Sequence, residues 1–429
     1  MKTILKSALL VFLSIFTISV NAQMTINAEV RTRTEFRHGY QALIDSGQGG
    51  SAFTSQRTRL NFGYAAEKFK IGISVQDVRF WGSQSQLNTT DGYTSIHEAW
   101  GQYWFVPKFS IKAGRQELNY NDERLFGSTN WLQQARSHDL FLLAYEDTTH
   151  KFIVHFGEAY NANPTAGNLA TTYGVTNSYK EMQYLWLNKK FGAMNASLIV
   201  VNNGAQSPIT IGSTRYFQTA GTYLEYKKKA LFASGRFYYQ MGTDAAKKDM
   251  KAIMAGVDVA YTLKEKLIFG LGFEMLSGQS QTDTTKAYKD IDHIFNPLYG
   301  TGHKFNGYMD YFYAGSAFGN VGLNDIYFKA KYKTDKFQTG LDVHMFMAAA
   351  DVLDAKELAT SGKYTAMNAN LGTEIDFTFA YNFSKIFNVQ VGYSQMLASE
   401  TMKAIKGGEN GLTQNWAYLM LTFKPSMLK

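Results

Sequence analysis

From its first charged residues after the leader, the chain alternates with period two. Asn27, Glu29, Arg31, Arg33, Glu35 and Arg37 share one parity, and Ile26, Ala28, Val30, Thr32, Thr34 and Phe36 share the other. Successive side chains of a β-strand point to opposite faces, so this spacing predicts a wall that is polar on one side and apolar on the other. The pattern returns at Arg57, Arg59 and Asn61 against Thr58, Leu60, Phe62 and Tyr64, and again at Ile375, Phe377, Phe379 and Tyr381 against Glu374 and Asp376. Eighteen such segments can be counted, from 24–38 to 413–424. Their connections alternate in length. Long ones follow the odd segments, and tight turns such as Glu67-Lys68, Pro107-Lys108 and Phe191-Gly192 follow the even ones. A soluble sandwich has no reason to keep that parity. A bacterial outer-membrane barrel does, with long extracellular loops and short periplasmic turns. The expected fold is all-β, a single 18-stranded antiparallel transmembrane barrel.

The N-terminus agrees with that compartment. Lys2 and Lys6 precede an apolar run from Ala8 to Val20, and Val20-Asn21-Ala22 has the small residues of a cleavage site. Residues 1–22 are therefore expected to be a signal peptide and 23–429 the outer-membrane β-barrel. No later segment has the 18 consecutive apolar residues of a spanning helix. The absence of cysteine removes disulfides, thiolate metal sites and a lipid-modified cysteine. Removing the leader takes away two lysines and no acids, so the formal charge falls from +8 to +6. Only the placement of that excess can give it meaning.

The placement is uneven. Nine of the 11 arginines lie between Arg31 and Arg136. The polar parity of the first three segments holds Arg31, Arg33, Arg37, Arg57, Arg59 and Arg79 against Glu29, Glu35 and Asp77, an excess of three positive charges. Arginine suits carboxylates because its planar fork can bond both oxygens, and an arginine wall is a device of anion-selective pores. The alternative is structural: Arg–Glu ladders across neighbouring strands stiffen a barrel wall. Asp77 and Arg79 fall on the apolar parity of Ile71, Ile73 and Val75. A β-bulge near Gln76 would return both to the lumen.

In order, the chain carries Arg31-Thr-Arg33-Thr-Glu35, Gln56-Arg57-Thr58-Arg59-Leu60, Gln76-Asp77-Val78-Arg79-Phe80-Trp81-Gly82, Glu98-Ala99-Trp100 and Gly114-Arg115-Gln116-Glu117-Leu118. Glu123-Arg124-Leu125-Phe126-Gly127, Trp131, Arg136-Ser137-His138-Asp139 and Gly302-His303-Lys304-Phe305-Asn306-Gly307-Tyr308-Met309-Asp310 follow. This series resembles the alginate export family of outer-membrane proteins, most densely over residues 29–139. The resemblance implies a monomeric 18-stranded barrel whose arginine-rich constriction passes a polyanionic polysaccharide, here an acidic glycan or a smaller anion. It also implies solute-binding roles for Arg31, Arg33, Arg57, Arg59, Arg79, Arg115 and Arg124. The parity of Phe109, Ile111 and Ala113 turns Arg115 outward, or places it at the extracellular rim.

Trp100 and Trp104 share parity with Glu98 and Gln102, which makes them candidate lumen platforms for sugar rings; Trp81, Trp186 and Trp416 read more plainly as interfacial girdle residues. The eight histidines show no metal-ligand spacing. His303 and Asp310 share a loop, and Asp342 and His344 share a lumen face near Ser316, but nothing marks a catalytic triad. Gly47-Gln-Gly49-Gly50 lacks the helix that a phosphate cradle needs, and Lys227-Lys228-Lys229 reads as a solvated turn. The expectation is a channel rather than an enzyme, with no cofactor, no metal and no nucleic-acid partner, surrounded by outer-membrane lipid and lipopolysaccharide. A general diffusion porin is the alternative, and a surface adhesin or barrel enzyme the remaining one. Residues 280–320 follow an odd segment and are rich in aromatics, among them Phe295, Tyr299, Phe305, Tyr308, Tyr311 and Phe312. A connection of that length and composition is expected to seek cover, and His303 to Phe318 is expected to fold over or into the pore.

Overall fold

The computed structural model describes residues 23–87, 92–161, 179–207, 213–312 and 320–428. The leader assigned to 1–22 lies outside them, as does Ser316. Eighteen long strands follow in sequence: β1 (Gln23–His38), β2 (Ser51–Ala65), β3 (Phe69–Phe80), β4 (Thr94–Val106), β5 (Phe109–Gln116), β6 (His138–Asp147), β7 (Phe152–Tyr160), β8 (Glu181–Phe191) and β9 (Met194–Gln206). The second half comprises β10 (Thr214–Lys228), β11 (Leu231–Thr243), β12 (Asp249–Leu263), β13 (Leu267–Leu276), β14 (Leu323–Lys333), β15 (Phe337–Met347), β16 (Asn370–Asn382), β17 (Phe387–Ala398) and β18 (Gln414–Phe423). Each pairs antiparallel with its sequence neighbours. β1 closes the ring by pairing with β18 from Val30↔Phe423 to His38↔Asn415. Closure leaves no unpaired edge among the long strands, which is the condition for crossing lipid with β-structure.

Alternation decides which side of the wall is dry. Leu60, Phe62, Ile71, Ile73, Phe141, Val257, Leu271, Phe273, Ile326 and Phe377 point outward and are exposed. The opposite parity carries Glu29, Arg31, Arg57, Gln240, Glu274, Asp342 and Glu374, all buried inside the ring. Ring pairs collect at the short-turn end: Tyr64 with Phe69, Phe105 with Phe109, Tyr381 with Phe383, and Phe387 with Phe423. Their amphipathic rings suit the headgroup level of a membrane. Glycine serves the lumen where a large side chain must lie flat on the wall. A Cβ on Gly392 would run into the ring of Tyr418, the side chain across from it on β18.

Two long connections enter the lumen with their described residues. Residues 117–137 join β5 to β6, and residues 277–322 join β13 to β14. They meet backbone to backbone, Gly127 N donating to Tyr299 O at 3.0 Å and Tyr299 N to Leu125 O at 2.9 Å. Phe126, Phe295, Met309, Tyr311 and Phe312 are buried there. The large buried cluster of the molecule therefore lies inside the barrel, between the loops and the wall.

Candidate functional site: the lumen and its two inserted loops

Arg31 and Arg33 of β1 and Arg57 and Arg59 of β2 line one side of the lumen, all four buried. Direct pairing sets them side by side, with Arg31 opposite Arg57 and Glu29 opposite Arg59. Part of the array is a ladder. Arg57 pairs with Glu29, and Arg33 and Arg37 both pair with Glu35, at 2.8 and 2.9 Å. Trp416 Nε1 also donates to Glu35, at 3.0 Å.

Arg31 is held differently. Its guanidinium donates to the Gln133 side-chain oxygen at 3.0 Å and to the carbonyls of Asn130, Trp131 and Leu132 at 2.9, 3.3 and 3.2 Å. Arg57 adds bonds to the Asn130 side chain at 2.9 Å and the Gln133 carbonyl at 3.3 Å, and Arg33 donates to the Trp131 carbonyl at 2.7 Å. Arg59 donates to Gln76 at 2.7 Å, and Gln76 donates in turn to the Gln134 carbonyl at 2.9 Å. The first inserted loop thus lies on the arginine wall with its carbonyls turned toward the cations. Charge-assisted bonds of this kind are the strong class, and here one loop collects several.

A second stretch of the lumen wall is acidic. Glu274, Asp325, Asp342, Glu374 and Asp376 on β13 to β16 are at most 2% exposed. The second inserted loop serves them as donor. Asn306 Nδ2 donates to Glu274 and Asp325, both at 3.1 Å, and Met309 N donates to Glu374 at 2.7 Å. Arg124 of the first loop pairs with Glu274 and lies 3.3 Å over the Phe305 ring. Arg236 joins it, 2.9 Å from Glu274, 2.5 Å from Asp258 and 3.4 Å from Asp122. Burial pushes the Asp122 carboxyl above its usual range despite Arg236 and Arg124 beside it.

A stack of rings joins the two stretches. Arg33 lies 4.1 Å over Trp131, Trp131 stacks on His303 at 4.1 Å and 10°, and His303 stacks on Tyr308 at 5.3 Å. His303 Nδ1 is 2.9 Å from Asp310, whose other oxygen accepts from Tyr40. Burial beside Asp310 raises the Tyr40 hydroxyl well above its ordinary value, so it stays a donor. Among the described residues no group of three or more histidines and carboxylates has the geometry to hold a metal ion.

The sequence-derived candidates divide accordingly. Arg31, Arg33, Arg57 and Arg59 meet in the lumen, and Arg124 reaches the same space from the loop. Arg79 does not. The β2–β3 register runs unbroken from Ser55↔Phe80 to Ala65↔Lys70, so Arg79 sits opposite Gln56 and Asp77 opposite Thr58, on the outer face. Arg79 and Asp77 bond each other there at 2.6 Å. The irregularity expected near Gln76 lies instead between β3 and β4, where Ser74 faces Glu98 and Val75 faces Ile96, so the extra residue is His97 of β4. Arg115 also faces outward at the long-loop end, paired with Asp139 at 2.6 Å. Trp100 and Trp104 share the lumen face, with Lys112 3.9 Å over the first ring and Lys70 5.2 Å over the second. Trp186 and Trp416 were read as girdle residues and are instead buried inside the barrel. Trp81 is exposed. Residues 303–312 of the expected pore loop do enter the lumen, and 313–319 lie outside the described residues.

The sequence reading missed the loop 117–137 and the acidic wall. That loop carries Leu118, Tyr120, Leu125, Phe126, Trp131 and Leu132, so the argument applied to 280–320 extends to it, although it is shorter and less aromatic. The acids were visible as lumen-parity residues, one or two per strand on four consecutive strands, so the pairing of sequence neighbours that assembles the arginines would have assembled them too.

The family model for alginate export matches residues 22–411. The chain belongs to the alginate export family. No curated protein matches the sequence. Among solved structures, the outer membrane protein OprD from Pseudomonas aeruginosa aligns with a TM-score of 0.62 at 12% identity, covering 96% of this chain and 97% of that one. OccD3 (OpdP) of the same organism aligns at 0.60 and 13% identity, covering 94% and 92%. OpdO aligns at 0.61 and 11% identity, covering 94% and 98%. Identities this low carry the fold alone. Family and fold together make this alginate export family member an outer-membrane channel barrel.

Proposed function

We propose that this barrel passes anionic saccharides, or other anions of similar size, through its arginine-lined lumen. On this reading it works as a monomer, is exported by a signal peptide at 1–22 and then cleaved, and performs no catalysis. One observation carries the proposal. Five lumen arginines (31, 33, 37, 57 and 59) stand on two adjacent strands against three glutamates, Glu29 and Glu35 of β1 and Glu117 of the first loop, and Arg31 is satisfied by neutral oxygens only. A guanidinium bonded to neutral carbonyls can exchange them for a carboxylate and gain Coulomb energy, whereas one already paired with Glu cannot. The family description supports the same class of cargo.

Replacing Arg57 and Arg59 by Ala tests it. In that variant Glu29 keeps Lys424 at 2.8 Å and Glu117, which loses Arg59, keeps His97 at 2.7 Å, so each carboxylate retains a partner. In planar bilayers under a salt gradient, the native barrel is expected to show an anion-selective reversal potential and the variant one closer to zero. A native pore without anion preference would remove the claim. A second reading, a general porin whose arginines chiefly anchor the inserted loop, draws on the bonds from Arg31 and Arg57 to residues 130–133. It predicts a rise in the variant's conductance with its selectivity unchanged.

A further inference from the structure

On the short-turn side of the Trp131–His303 stack lies a cavity of about 310 Å³. Trp131, His303 and Tyr308 of the inserted loops and Tyr418 of β18 form its inner wall, and Lys331 and Lys333 of β14 stand at its side. We infer that this cavity is a binding station for a single carboxylated sugar ring, a hexuronate, separate from the arginine wall. It rests on the reading of the cargo as an acidic saccharide and adds a site beside the ring stack, along the edges of Trp131, His303 and Tyr308.

Size, charge and lining each bear on the ligand. The volume sits at the lower end of ligand cavities, roughly 300 Å³ and upward, which suits one ring rather than a chain. Asp342 is shared by two lysines, Lys329 at 3.3 Å and Lys331 at 3.9 Å. Among the described residues no carboxylate lies within ion-pair distance of Lys333. The lining itself holds three lysines, 304, 331 and 333, and no carboxylate, and Lys331 is about half exposed, so water and solute reach it. Aromatic edges supply an apolar wall, and Gln338, Thr378 and Gln390 supply side chains that bond hydroxyls. A bare inorganic anion would leave the ring wall unused, and a neutral sugar would leave the lysines unused. A uronate uses both.

Binding of galacturonate to the detergent-purified full chain, measured by calorimetry, tests the site, with glucose and inorganic phosphate as comparison probes. The native chain is expected to prefer galacturonate. Replacing Lys331 and Lys333 by Met should weaken that binding by about tenfold per lysine, the scale of one lost charged hydrogen bond. The heat-modifiable gel shift of a folded barrel monitors assembly of the variant. Unchanged affinity in the assembled variant, or equal binding of glucose or phosphate, overturns the site. The channel reading fails separately, through the reversal potential of the native pore. An anion-selective pore whose purified chain ignores galacturonate sinks the station alone.

Discussion

Lys406 shows how one loop residue records its surroundings. It ends the helix Glu400–Lys406, which connects β17 to β18, and its ammonium lies 5.7 Å over the Phe312 ring of the inserted loop. Burial holds its pKa down to about 8, against an ordinary 10.5. A lysine lowered in this way binds fewer protons folded than unfolded between those values, so its seat gains stability as pH rises through that window. Hydrogen-exchange protection of the amides of 400–406, corrected for intrinsic rates, is expected to grow from pH 8 to 10.5. In Lys406→Met the profile should be flat. Protection that declines with pH in the native chain would reverse the assigned sign. Arg79 teaches the complementary lesson at this scale. Its residue type matched the family motif, but a strand residue's face is set by register, and the unbroken β2–β3 pairing turns it outward.

At the scale of one strand, β13 carries two environments along ten residues. Phe269, Leu271 and Phe273 face out, and Glu274 faces in at 0% exposure. Leu271 is 65% exposed near the middle of the strand, where the wall meets the core of the bilayer. Leu271→Arg is expected to cost about 2–4 kcal/mol of folding stability in lipid vesicles, as for a cation near the midplane. Chemical unfolding from vesicles measures it. A cost near zero would mean that this parity does not face lipid. Glu274 illustrates the inner constraint. It meets Arg124, Arg236 and Asn306 at once, so one acid of β13 ties together β11 and both inserted loops.

In the whole molecule, the two loops bridge an arginine wall and an acidic wall. The first loop turns carbonyls to the arginines, the second turns donors to the carboxylates, and Trp131 and His303 stack where they meet. Each loop thus complements the wall it touches, which seats the pair in one arrangement. Replacing 303–312 by a short Gly-Ser link should increase single-channel conductance, because the stack loses His303 and the acids lose Met309 and Asn306. Unchanged conductance in an assembled barrel would show that these residues cap the pore without narrowing it.

Strand number, connection parity and the two faces of strands with clean alternation were legible in the residues, because the β period is two and a closed wall in lipid must be apolar outside, whereas the mixed end of β3 at Asp77 and Arg79 was not. Those signals are local: each can be read within about ten residues. The arginine wall was also legible, since β1 and β2 are neighbours in sequence as well as in space. The contacts made inside the lumen were not. Arg31 reaches loop residues about 100 positions away, and Trp416 reaches Glu35 across 381, through a closure that no local pattern encodes. Trp416 and Trp186 differ: each takes the lumen parity of its own strand, shared with Gln414 and Tyr418 and with Met182 and Tyr184. A side chain's parity depends on its own strand, whereas its partner inside the barrel depends on where every other strand and loop comes to rest.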